Sequence, residues 1–138
     1  VLRVLVLAAI VAASASHAAA AAKSAAFFSP LRPGVLGCTM SDPSGLGYNV
    51  YCQFDPVDSP RLSRLVVKMG AGGRFTLCRK RCPIAELGEG TRALGYGKQA
   101  TVGRFRCQSL RSGVRCTVTR SGKGFLISSK GVHAVGVK

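Results

Sequence analysis

Acidic residues are scarce in this sequence. Five Asp and Glu stand against 20 Lys and Arg, so the 138-residue chain carries a formal charge of +15. The five carboxylates are Asp42, Asp55, Asp58, Glu86 and Glu89. The three aspartates sit beside Pro and Ser, where turn formation accounts for them. Glu86 and Glu89 read as solvated loop charges. A glycosidase needs two carboxylates about 5–9.5 Å apart, and nothing singles out such a pair. Histidine is almost missing too: His17 lies in a leader and His133 near the C-terminus. No base is therefore marked out beside a Ser or Cys nucleophile. Gly70-Ala71-Gly72-Gly73 lacks the G-x-G-x-x-G spacing and a following helix, so it reads as a hairpin turn rather than a phosphate loop. There is no Asn-x-Ser/Thr sequon. The length excludes a large multidomain enzyme. No catalytic, cofactor-binding or metal-ligating residue is nominated, and no cofactor is expected.

Long apolar runs are confined to the first 22 residues. Arg3 is followed by an unbroken apolar run from Val4 to Ala13, then by Ser14-Ala15-Ser16-His17 and the alanines Ala18 to Ala22. A positive start, a short apolar stretch and small residues at the cleavage site make a secretory signal peptide. A bilayer span needs ~20 apolar residues, which this run falls short of unless the alanines are counted in. Cleavage is expected between Ala15 and Ala22. The leading Val reads as a non-ATG start, hence a bacterial source. No second hydrophobic segment follows, so no integral membrane segment is expected after cleavage. Lys23-Ser24-Ala25-Ala26 reads as a flexible lead-in, and residues 27–138 as one domain. What remains after removal of the leader has an ordinary globular composition with a charge of +14.

All six cysteines lie in that remainder: Cys38, Cys52, Cys78, Cys82, Cys107 and Cys116. An even number in an exported chain implies disulfides, with fifteen possible pairings. Zinc modules usually need two close knuckles, and only Cys78-Arg79-Lys80-Arg81-Cys82 has that spacing. One bridge follows from geometry. Arg104 to Ser109 and Val114 to Thr119 both alternate in type, around the loop Leu110-Arg111-Ser112-Gly113. Pairing Ser109 with Val114 sets Cys107 opposite Cys116. Directly opposed residues have Cβ atoms about 4.5–5.5 Å apart, within reach of a bridge. Phe105 and Val118 share that buried side. Arg104, Arg106, Gln108, Arg115, Thr117 and Thr119 take the other. Chain order then pairs Cys38 with Cys52 and Cys78 with Cys82. Closed loops of about 15, 5 and 10 residues contribute roughly 3, 2 and 2.7 kcal/mol.

The rest of the chain reads as short strands between turns. Strands are expected over Gly34–Met40, Tyr48–Phe54, Leu65–Met69, Arg74–Cys78, Gly124–Ser128 and Val132–Val137, with Tyr96–Val102 extended. Ser41 to Gly45 is a turn cluster, Asp55 to Pro60 a loop, and Pro83 to Gly95 irregular. Helical periodicity is absent outside Pro83–Leu94. Short strands, regular turns and 17 glycines predict an all-β domain, a small antiparallel sandwich or open barrel of disulfide-stapled hairpins.

Several stretches recur in a known pattern. They are Phe27-Phe28-Ser29-Pro30, Gly37-Cys38, Tyr51-Cys52, Leu94-Gly95-Tyr96-Gly97, Gly103 to Ser109, Gly113-Val114-Arg115-Cys116 and Gly122 to Ser128. Together they resemble the "FxSPSGNIGC … YG … FxCxS … GVxC … GxGFxxS" arrangement of a family of small secreted actinobacterial six-cysteine proteins of unknown function. Leu31-Arg32-Pro33 stands where that pattern has Ser-Gly-Asn, and the central cysteines are closer together than in many relatives. The resemblance implies export and a disulfide-bonded domain, and no chemistry.

Charge is the functional signal. Residues 27–73 carry a net +1 and residues 74–138 a net +12. The second half holds Arg79, Lys80 and Arg81 on the tight cysteine loop, and Arg104, Arg106 and Arg115 on one hairpin face. These six are the candidate anion-binding residues. Such a field attracts anionic polymers of the cell envelope. The expected protein is a secreted or envelope-associated monomer that binds such a polymer, or a partner protein, without catalysis. Nucleic acid is not expected as the physiological partner of an exported chain. The alternative is a secreted hydrolase inhibitor that presents Arg79 to Arg81 on its disulfide loop.

Overall fold

The computed structural model describes residues 23–30, 34–88 and 91–137. The leader, residues 1–22, and Glu89 lie outside the described residues. Among the described residues every regular element is a strand. In chain order these are β1 (Lys23–Ser29), β2 (Val35–Asp42), β3 (Val50–Asp55), β4 (Leu65–Met69), β5 (Phe75–Arg79), β6 (Arg92–Ala93), β7 (Gln99–Val102), β8 (Phe105–Leu110), β9 (Gly113–Val118), β10 (Gly124–Ser128) and β11 (Gly131–Val135). They form a six-stranded sheet, β5-β4-β3-β2-β1-β6, and a five-stranded sheet, β11-β10-β9-β8-β7. All pairs are antiparallel except β1–β6. Of the two expected shapes the chain adopts the sandwich: the sheets face each other and neither closes into a barrel. No described helix is long and apolar enough to cross a membrane.

Alternation along each strand builds the core, because successive side chains point to opposite faces. Leu36, Cys38 and Met40 of β2, Val50, Cys52 and Phe54 of β3, and Leu65, Val67 and Met69 of β4 point inward. They meet Phe105, Cys107, Val114, Cys116, Phe125 and Ile127 of the other sheet. Ser29 and Ser109, the polar pair in this interior, face each other with hydroxyl oxygens 3.1 Å apart, so each answers the other.

The three bridges are Cys38–Cys52, Cys78–Cys82 and Cys107–Cys116. The register of the β8–β9 hairpin is the one read from the sequence, with Phe105 opposite Val118, Cys107 opposite Cys116 and Ser109 opposite Val114. Its connection is tighter than the four-residue loop expected. Leu110 pairs with Gly113, leaving Arg111-Ser112 as the turn. Cys38 and Cys52 are likewise directly opposed, across β2 and β3. These two bridges stack in the centre of the sandwich, with the Cys52 and Cys116 sulfurs 3.8 Å apart.

Lys23 to Ala26, expected as a flexible lead-in, are the first half of β1. They pair with Thr39 to Asp42 of β2. Small side chains suit that place, since Ala25 packs on the core while Ser24 and Ala26 point outward.

The irregular stretch after Cys82 is a strap. It leaves β5 at one edge of the six-stranded sheet, crosses the outer face, and rejoins the other edge as β6 beside β1. Cys82 packs on Tyr51 and Val66. The Ala85 amide donates to the Tyr51 hydroxyl at 3.1 Å and to Gln53 Oε1 at 3.0 Å, and the Ala85 carbonyl accepts from Gln53 Nε2 at 2.9 Å. Tyr51 in turn donates to Gln53 Oε1 at 2.7 Å. Further along, Leu87 lies over Gly37, in space that any side chain at 37 would fill. β3 is consequently buried on both faces, from Val50 to Phe54.

Candidate functional site

Among the described residues no segment crosses the outer face of the five-stranded sheet as the strap crosses that of the other. The pairing places Gln99, Gln108, Arg115, Leu126 and His133 in one row across all five strands. The neighbouring row is Thr101, Arg106, Thr117, Gly124 and Val135. Arg106 and Arg115 are exposed, and neither has a carboxylate partner among the described residues. Thr117, expected on an open polar face, is buried at 7% exposure. His133, expected at the surface near the C-terminus, is exposed at the far end of the Arg115 row.

Arg104 stands apart from that pair. It occupies the turn between β7 and β8, and its guanidinium grips Asp42 at the end of β2. Nε donates to Oδ2 at 3.1 Å, Nη2 to Oδ1 at 2.9 Å, and the Arg104 amide to Oδ2 at 2.8 Å. Gly103 makes room for this clamp. Its φ is 52°, and a Cβ there would sit 2.7 Å from the Asp42 Cγ. The side-chain and backbone hydrogen bonds from Arg104 hold the Asp42 carboxyl below its ordinary range, and the same contact raises Arg104. Its charge is thus committed to the fold, unlike those of Arg106 and Arg115.

The three cations of the cysteine loop do not form one patch. Arg79 is the last residue of β5, opposite Leu65, and its guanidinium reaches Gly131 at the rim of the other sheet. There it lines a hollow with Arg61, Leu62 and Lys130. Lys80 and Arg81 line a different, shallow groove of about 560 Å³, with Arg64, Asp55 and Cys82. The separation has a backbone cause. Lys80 has φ 73°, in the left-handed region, which turns the chain sharply after Arg79.

Arg64 and Asp42 make long-range contacts that the sequence does not mark. Arg64 donates from Nη1 to the Cys82 carbonyl at 3.2 Å and from Nη2 to Asp55 Oδ1 at 3.4 Å. Nothing in its local sequence marks it, because both partners come from other segments. For Asp42 the available signal was its position between a strand and Pro43, which also fits a plain turn.

The remaining candidates for chemistry are scattered. Among the described residues the ion pairs are Asp55–Arg64 and Asp42–Arg104, and Glu86 is exposed on the strap. The sulfurs of Cys38, Cys52 and Cys116 lie within 4.8 Å of one another. Each is bonded in a disulfide and offers no thiolate to a metal. Comparison with family models, curated proteins and solved structures gives no match.

Proposed function

We propose that the chain is an exported basic domain that works by binding, without catalysis, and takes an anionic polymer of the cell envelope on the outer face of its five-stranded sheet. One observation carries this reading. Among the described residues that face is left uncovered and displays Arg106 and Arg115 without carboxylate partners, whereas the strap covers the opposite face of the molecule. Neighbouring rows that bring Gln99, Gln108 and Arg115 beside Thr101 and Arg106 suit repeated oxygen-rich groups, because amides and guanidinium offer several donors. Three disulfides support secretion, since such bonds persist in oxidising compartments. Signal-peptide cleavage, a monomeric mature chain, and kinship with the small secreted actinobacterial six-cysteine proteins belong to the same proposal.

The test is retention of residues 23–138 on purified anionic cell-wall polymer. Binding is expected at low salt, with loss by about 0.5 M, where exposed charges are screened within a few ångströms. Arg106→Gln with Arg115→Gln should weaken retention about tenfold or more. Retention unchanged by salt and by that double substitution would overturn the reading.

The inhibitor alternative has less support. A protease cleft reads an extended backbone, and Lys80 breaks the extended run at the tip of the loop. Tight stoichiometric inhibition of a trypsin-like protease, lost in Arg79→Ala or Arg81→Ala, would restore it.

A further inference from the structure

The groove beside the cysteine loop has the features of a built anion site. Arg64 forms one wall and is held in place. Its Nη1 is anchored on the Cys82 carbonyl, its Nη2 makes a long contact to Asp55, and its Nε is inaccessible to solvent and has no partner. Lys80 is tied to it through the backbone, its amide donating to the Arg64 carbonyl at 3.0 Å. Lys80 also holds a left-handed conformation that glycine would take without strain. Backbone in this sparsely populated region clusters at ligand sites. The Cys78–Cys82 bridge closes the ring that carries Lys80 and Arg81. The groove is shallow and open, so a group larger than a bare ion can reach its cations.

The charged groups facing this space are Arg64, Lys80, Arg81 and Asp55, with no histidine among them. Three cations against one carboxylate leave two positive charges. The matching ligand group is a dianion with several acceptor oxygens. A phosphomonoester fits, with a charge near −2 at neutral pH and three strong acceptors. Carboxylates, sulfate esters and phosphodiesters carry a single charge.

We propose that the groove of Arg64, Lys80 and Arg81 binds a phosphomonoester group. The site is separate from the face of Arg106 and Arg115, and it stands or falls independently of the polymer reading. Two sources share this chemistry, free phosphate and a phosphate ester of a larger molecule, and the probes separate them.

The experiment follows backbone amide shifts of the oxidised protein during titration with inorganic phosphate, glucose 6-phosphate and glucose 6-sulfate. Glucose 6-phosphate is expected to give saturable shifts at Lys80, Arg81 and Cys82. Its binding at pH 5.5 should be about fourfold weaker than at pH 7.5, as the ester loses its second charge with a pKa near ~6. The sulfate ester should bind about tenfold more weakly than the phosphate ester. Comparable binding of inorganic phosphate places recognition on the phosphate itself, and tighter binding of the ester gives the remaining volume to the attached group. Either result supports the site. Arg64→Gln risks loosening the strap, so Lys80→Gly is the decisive variant. It removes the cation and relieves the backbone, and should keep or raise Tm while weakening the phosphate ester about tenfold. Equal affinity for the sulfate and phosphate esters would overturn the proposal. So would unsaturated shifts spread over Arg106 and Arg115, or an affinity unchanged in Lys80→Gly.

Discussion

With its carboxylate accepting three hydrogen bonds from Arg104, Asp42 ties the end of β2 to the turn before β8, and so one sheet to the other. The folded carboxyl titrates below the ordinary Asp value of about 3.9. Its contribution to stability is therefore complete above that value and is lost as pH falls through the lower folded pKa. In thermal melts, Asp42→Asn should have the lower Tm at pH 7, and the gap to the unmodified protein should close as pH falls below the ordinary Asp range. A gap independent of pH would remove the clamp from the account. Gly103→Ala attacks the same contact from the backbone. It forces a side chain into the left-handed region and into the space of the Asp42 carboxylate, at a cost of about 1–2 kcal/mol or more. Tyr51 shifts the opposite way, because burial raises its phenol above the ordinary range. Its neutral form is favoured in the fold, so the stability it adds is whole below about pH 10 and is lost as pH rises through the higher folded value. The hydroxyl thus stays a donor to Gln53 at neutral pH.

The strap depends on Gln53, which both donates to Ala85 and accepts from it. Replacing Gln53 by Ala removes both contacts and should cost about 1–3 kcal/mol. Hydrogen exchange should localise the effect, with faster exchange at Ala85 and little change in the β8–β9 hairpin. Uniform loss of protection would mean that the strap and the sandwich open as one unit. Not all of these elements could be read from the sequence. The β8–β9 and β4–β5 hairpins were, the first because both its strands alternate in type and the second because two apolar runs flank Gly70-Ala71-Gly72-Gly73. β1 was hidden because Lys23-Ser24-Ala25-Ala26 continues the alanine tail of the leader and shows no contrast between its faces. β6 is two residues long and is held by its partner rather than by its own pattern. Tyr51 and Gln53 look like the polar, outward half of an alternating strand. What buries them arrives from 32 residues further along the chain in the case of Gln53 and Ala85, a distance that local patterning does not report. The loop cations failed in the same way: three consecutive basic residues suggest one patch, yet the positive φ of Lys80 sends Arg79 to a different rim.

For the molecule as a whole, the bridges differ in access. Cys38, Cys52, Cys107 and Cys116 are fully buried, whereas Cys78 lies on an exposed edge strand. Thiolate attack needs access to sulfur. Mild dithiothreitol under native conditions should therefore release two thiols first, and alkylation with peptide mapping should place them at Cys78 and Cys82. Early release of Cys107 and Cys116 would contradict the buried stack. Removing the Cys107–Cys116 bridge by a double Ala substitution should cost about 2.7 kcal/mol by loop closure. The unequal treatment of the two outer faces has one more consequence. A body clad on one side and bare on the other has a top and a bottom. On a planar layer of the proposed polymer the pose with the bare side down should be favoured, with Ile84 and Glu86 of the strap directed towards the medium. Copies held in that pose would offer the strap to whatever approaches next.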